Sequence, residues 1–235
     1  EYIYFSRPDS IINNTSVYEF RKKFGIQLAK ESHIDSDLII PVPDSGVPAA
    51  IGFSEEVKKN VELGIIRNHY VGRTFIEPTQ QIRSLGVKLK HNVNKSLVKN
   101  KSVILIDDSL VRGTTSVKII KMLYESGASE VHLRIASPPI KYPDYYGVDT
   151  PDQNELLASK HDLEGMRKFI NATTLQFLSI DGLYKSMGFK KRNSSYPQFT
   201  DHCFTGEYPI KPIDASDKNF VDEQLSFMSS KSWFD

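Results

Sequence analysis

The sequence predicts an α/β protein: a mainly parallel sheet with helices on both faces, followed by a carboxyl-terminal extension. Three observations carry that expectation. Residues 103–106, Val-Ile-Leu-Ile, run straight into Asp107 and Asp108, and a strand without polar alternation belongs inside a parallel sheet. A loop of small residues around Gly113 then hands over to helical periodicity at Val117, Ile119, Ile120 and Leu123. Strand-like and helix-like segments alternate up to about residue 136, the order of parallel βαβ units.

Along the chain, residues 2–5 are an aromatic run read as a short strand, 18–32 an amphipathic helix and 38–41 a second strand. A helix is expected over 47–60 and an extended piece over 64–66. From Arg67 to about Asn92, basic residues (Arg67, Arg73, Arg83, Lys88, Lys90) and the turn at Glu77-Pro78 replace core pattern. A stretch of this kind inside a compact domain is a functional lid or a disordered segment. The helix at 116–126 stops at Gly127, the usual residue after a helix end, and a strand at 131–136 follows. Beyond Ser137, turns rich in proline and tyrosine take over, with helices near 162–170 and 180–187. The expected division is a domain over 1–209, with its core at about 1–140 and its extension at about 141–209, and then a loosely ordered polar tail over 210–235.

Composition narrows the class. A chain of 235 residues with 39% hydrophobic and 25% charged content suits a single globular core. A formal net charge of +1 gives no reason to expect nucleic acid or an anionic membrane as partner. No apolar run approaches the roughly 18 residues of a membrane helix, and the opening EYIYFSRPDS does not read as a signal peptide. The single cysteine, Cys203, excludes an intrachain disulfide and suits a reducing cytoplasm. The six histidines are scattered without metal-ligand spacing.

The segment after the apolar run carries chemistry. Ser109, Thr114, Thr115 and Ser116 offer hydroxyls, and Gly113 lets the backbone turn so that amides converge at a helix start, which is a site for a phosphate dianion. Asp107 and Asp108 repel that phosphate unless they accept hydrogen bonds from sugar hydroxyls or hold Mg²⁺. A phosphorylated sugar on a metal satisfies both. The loop PVPDSG at 41–46 also follows a strand and opens a helix, making a second anion site.

The run ILIDDSLVRGTTS resembles the phosphoribosyl pyrophosphate (PRPP) loop of type I phosphoribosyltransferases. That resemblance implies their fold, ribose hydroxyls on Asp107 and Asp108, and the 5-phosphate within Ser109, Val111, Arg112, Gly113, Thr114 and Thr115. EYIYFSRPDS at 1–10, PVPDSG, RNHYVGRTFI at 67–76 and SPPI at 137–140, in that order, are similar to the glutamine PRPP amidotransferase family up to about residue 209. The similarity implies that Pro43, Asp44, Ser45 and Gly46 receive pyrophosphate, and that Ser45, Asp107 and Asp108 bind Mg²⁺. It places Tyr70, Arg73, Ile76 and Lys90 on a loop that orders over PRPP. Arg73 and Lys90 neutralise the departing pyrophosphate there, and Tyr70 and Ile76 line an ammonia channel. The implied reaction converts PRPP and ammonia to 5-phosphoribosylamine and pyrophosphate, the first committed step of purine nucleotide synthesis. No protein nucleophile is needed, and an oxocarbenium-like transition state is expected.

The family further implies feedback by purine nucleotides, a homo-oligomer and a glutaminase domain. That domain is absent from this chain, so free ammonia is the expected nitrogen source. Some members hold a [4Fe–4S] cluster on four cysteines. Here Asp144 stands at one such place and only Cys203 remains near two others, so no cluster is expected. A salvage nucleobase phosphoribosyltransferase or a non-catalytic PRPP-sensing regulator would share the PRPP loop. The long basic loop speaks against the first, and the lack of a basic helical extension against the second.

Overall fold

The computed structural model describes residues 1–68, 91–148, 150 and 152–210. A short hairpin, β1 (Ile11–Ile12) against β2 (Thr15–Ser16), turns through Asn13 and Asn14 and feeds α1 (Val17–Ser32). Ser16 caps this helix by accepting from the Glu19 amide. Its buried stripe is Val17, Phe20, Arg21, Phe24 and Leu28, a helical spacing with one arginine set among apolar residues.

Strand β3 (Leu38–Pro41) and α2 (Val47–Val57) come next. An antiparallel pair, β4 (Ile65–Arg67) and β5 (His91–Val93), then precedes the short α3 (Lys95–Val98). The central β6 (Ser102–Asp107), α4 (Thr114–Glu125) and β7 (Glu130–Ile135) follow. After residue 140 come a 3₁₀ turn (Gln153–Glu155), α5 (Leu157–Lys160), α6 (Leu163–Ile170), β8 (Thr174–Phe177), α7 (Ile180–Ser186) and α8 (His202–Thr205).

The main sheet is parallel in the order β3-β6-β7-β8. Alternate residues of its strands face opposite ways. Ile40, Val103, Leu105, Val131 and Leu133 pack with Ile119, Ile120 and Leu123 of α4 and with Met166 and Ile170 of α6. Ile39, Ile104 and Ile106 pack instead with Phe24, Leu28 and Phe53 of α1 and α2 and with Leu183 of α7. Both faces are therefore covered, which is why β3 and residues 103–106 of β6 read as unbroken apolar runs. Among the described residues, no helix is long and apolar enough to cross a membrane.

The expected strand over 2–5 is not present. Those residues form a turn in which the Ser6 amide donates to Glu1 O at 3.1 Å, while Arg21 takes the carbonyls of Tyr2 and Ser6. Carbonyls held that way have no ladder to join. The helix expected to reach residue 60 ends at Val57, where Lys58 turns left-handed and its amide returns to Ser54 O. Strand β8 was not foreseen from sequence, nor was β5 within the segment read as irregular to about residue 92.

Candidate active site

The sheet register sets the site. Pro41 is paired with Ile106, so the loops leaving β3 and β6 start side by side at the carboxyl ends of neighbouring strands, where open α/β sheets bind ligands. The Val42 amide donates to Ile106 O at 2.8 Å, and a Cβ on Gly46 would lie 2.2 Å from that same carbonyl oxygen. Only glycine permits this approach of the first loop to the second.

Ser45 donates its hydroxyl to Asp107 Oδ1 at 2.9 Å, and the Asp108 amide donates to the same oxygen at 2.9 Å. Ser109 donates to Asp108 Oδ1 at 2.9 Å. Asp107 is 8% exposed. Burial first, and then the neighbouring Asp108 charge, hold its carboxyl well above the usual range against the pull of the Ser45 bond. Burial also raises Asp108, opposed by the Ser109 bond and the Arg21 guanidinium. Two adjacent acids whose charged forms burial disfavours suit a ligand that brings positive charge or further hydrogen-bond donors.

Residues 109–113 carry the chain from Asp108 to α4. Gly113 sits at φ 77 as the residue before the helix, and the Val117 amide closes the first turn on Gly113 O at 3.0 Å. The first-turn amides of a helix have no partner within it, so those of 114–116 face the loop mouth as donors for an anion. Val111 packs beside Ile140, Leu156 and Cys203, and its carbonyl accepts from the Leu157 amide at 2.9 Å. Arg112 reaches away to Glu155 of the 3₁₀ turn, with Nε donating at 2.7 Å. Its side chain thus secures the extension while its backbone stays in the loop.

Across from this loop, Pro43, Asp44, Ser45 and Gly46 lead into α2, and the peptide bond between Pro43 and Asp44 is cis. Asp44 is ion-paired with Arg67 at the end of β4. The structure therefore gathers Pro43 to Gly46 with Asp107 to Thr115 at one mouth. Tyr70, Arg73, Ile76 and Lys90 lie outside the described residues.

The fit to a divalent cation can be judged from these donors. Among the described residues, no group of three or more His, Cys, Asp or Glu side chains could hold a metal. Asp107 and Asp108 alone supply hard oxygen ligands, with the Ser45 hydroxyl beside them. That partial set suits Mg²⁺, which keeps waters and shares substrate oxygens and does not need an all-protein cage.

No family model matches the chain. Over 231 residues it is 55% identical to amidophosphoribosyltransferase of Rhizobium etli, a match covering 98% of this chain and 46% of that protein. The Bacillus subtilis enzyme of the same name is 50% identical over 211 residues, covering 90% of this chain and 44% of the relative. A solved structure, glutamine PRPP amidotransferase from B. subtilis complexed with ADP and GMP, superposes with a TM-score of 0.79 at 50% identity. That superposition covers 88% of this chain and 46% of the other. The chain is homologous to the carboxyl-terminal part of amidophosphoribosyltransferase. It spans less than half the length of these curated relatives, and its fold is the phosphoribosyltransferase fold.

Within this amidophosphoribosyltransferase homologue, Asp144 and Cys203 come together in the extension. His202 Nε2 lies 2.7 Å from Asp144 Oδ2, and Lys141 and Tyr142 both donate their amides to Cys203 O. Burial first, and the Asp144 charge second, push the Cys203 thiol up to about 12, which makes it a packed thiol and not a thiolate ligand.

Arg21 and Tyr4 were missed as neighbours of the site. The available signal was an arginine in the apolar stripe of α1, since a buried arginine always needs a reason. Arg67 was read as part of the basic segment, but its pairing with Asp44 depends on where β4 ends and had no local sign.

Proposed function

We propose that this chain carries out the phosphoribosyl-transfer reaction of amidophosphoribosyltransferase, converting PRPP and ammonia to 5-phosphoribosylamine and pyrophosphate in purine nucleotide synthesis. The observation that carries this reading is the hydrogen bond from Ser45 to Asp107, because it joins two anion-binding loops across paired acids. The PRPP-using relatives named above support it.

In this reading Asp107 and Asp108 accept from the ribose hydroxyls, and the amides at the start of α4, with Ser109, Thr114 and Thr115, hold the 5-phosphate. Pro43, Asp44, Ser45 and Gly46, at the start of α2, receive the pyrophosphate. Asp107, Asp108 and Ser45 would hold Mg²⁺, whose chemistry when bound is to neutralise pyrophosphate charge. Ammonia nitrogen forms its bond to C1 as the C1–oxygen bond breaks. The electron pair leaves with pyrophosphate, and the nitrogen loses a proton to solvent. Catalysis comes from positioning and from the field of fixed dipoles, with Arg73 and Lys90 balancing the leaving charge and Tyr70 and Ile76 bordering the path of ammonia. Purine nucleotides act as feedback ligands, by analogy with the neighbour complexed with ADP and GMP.

Calorimetric titration with PRPP and Mg²⁺ tests the assignment of the site. The wild-type chain is expected to bind, and an Asp107→Ala, Asp108→Ala double variant to lose binding by more than tenfold, about 1.4 kcal/mol. Equal affinity in the two proteins would defeat the assignment.

A further inference from the structure

Arg21 occupies the buried stripe of α1 at 5% exposure, between Phe20 and Phe24. Burial of a guanidinium is costly, and among the described residues no carboxylate lies in ion-pair range of it. Its donors go to backbone. Nε reaches Tyr2 O at 3.0 Å and the terminal nitrogen reaches Ser6 O at 2.7 Å. The two carbonyls bracket Tyr4. Tyr4 in turn packs on the small cluster of Ile140, Leu156 and Cys203, against which Val111 of the phosphate loop also packs. Leu157, next to Leu156, donates its amide to Val111 O and is the nearest neighbour that a Cβ on Gly113 would meet, at 2.9 Å. Arg21 is thus linked through the turn that carries Tyr4 to the cluster against which Val111 packs, and Val111 O is held by Leu157 beside Gly113.

We propose that Arg21 is a positioning residue for the phosphate loop: by bonding the Tyr2 and Ser6 carbonyls it fixes the turn that seats Tyr4 on the cluster behind Val111. Arg21 touches no substrate. It acts through Tyr4, which packs on the same cluster as Val111. An apolar residue would fill the stripe of α1 equally well, but it would leave the turn at Tyr2 and Ser6 without donors and Tyr4 free to move. The inference rests on the phosphoribosyl reading of the site, and the test separates the two.

Two probes divide the site: ribose 5-phosphate, which engages the acids and the phosphate loop, and inorganic pyrophosphate, which engages the loop at Pro43 to Gly46. Arg21→Met is expected to weaken ribose 5-phosphate about tenfold, the scale of losing charge-assisted hydrogen bonds, while pyrophosphate affinity stays within about twofold. Arg21→Lys retains the charge but lacks the fork that spans both carbonyls, so it should show the same selective loss at about threefold. The lysine variant decides the matter if the methionine variant does not fold. In a double-mutant cycle, Tyr4→Ala should absorb most of the Arg21→Met effect, since both act on one contact. Wild-type affinity for ribose 5-phosphate in Arg21→Lys, equal losses for both probes, or effects that add in the cycle would each overturn the proposal. Failure of the unaltered chain to bind ribose 5-phosphate would instead defeat the parent reading, and the inference with it.

Discussion

Ser45 donates its hydroxyl to Asp107 Oδ1 at 2.9 Å, joining residues 62 apart in sequence. The bond ties the loop after β3 to the end of β6, and it satisfies one side of a carboxyl that burial and Asp108 disfavour as an anion. Ser45→Ala leaves that carboxyl short of a donor. The expected outcome is a loss of about 1 kcal/mol in stability and about tenfold weaker PRPP binding, measured by thermal melting and titration. Unchanged PRPP affinity would show that the two loops bind independently.

Gly46 and Gly113 differ in what an added methyl meets. At Gly46 it would lie 2.2 Å from Ile106 O, a backbone atom of a central strand that cannot yield. At Gly113 it would lie 2.9 Å from a Leu157 methyl and 3.3 Å from Phe169, with the backbone at φ 77. Gly113→Ala should cost about 1–2 kcal/mol from the left-handed conformation and weaken ribose 5-phosphate binding. Gly46→Ala should cost more, and chemical denaturation of the two variants checks the order.

His132 provides a pH prediction. Its ring is 2% exposed, between Thr174 at 3.0 Å and Ser102 at 3.2 Å. Burial first, and the Arg134 charge second, hold its imidazole below the ordinary value, against the pull of Glu130. The unfolded chain therefore takes up this proton before the folded one does. Stability from this group is complete above about pH 6.5 and is lost as pH falls through the lower folded value. Melting temperature should drop more steeply from pH 7 to 5 in the wild type than in His132→Gln, and parallel slopes would contradict the assignment.

Cys203 should be chemically quiet. With its thiol pushed up to about 12, little thiolate exists near pH 8, so iodoacetamide should label the native chain far more slowly than the chain unfolded in guanidinium. Comparable rates measured by mass spectrometry would place the thiol in solvent.

The paired acids at the strand end and the two strand-to-helix loops were legible because each signal is local. An apolar run can end at Asp107 in few ways, and Ser109 to Thr115 announce a strand-to-helix turn through composition alone. Residues 2–5 were misread because Tyr2, Tyr4 and Phe5 imitate a strand, while the determinant of their turn is Arg21, outside the segment. Thr174 to Phe177 escaped notice because a four-residue edge strand with Gln176 in it shows little pattern, and its identity comes from pairing with β7. The bond between Ser45 and Asp107 follows from the register of Pro41 with Ile106, and no short window of sequence contains both sides of a register.

The most direct test of phosphoribosyl transfer is pyrophosphate release from PRPP and Mg²⁺ by the purified 235-residue chain, with ammonium as nitrogen donor. Release is expected to rise with ammonium and to disappear in the Asp107→Ala, Asp108→Ala double variant. Release no faster than in the double variant, at saturating PRPP and ammonium, would contradict it.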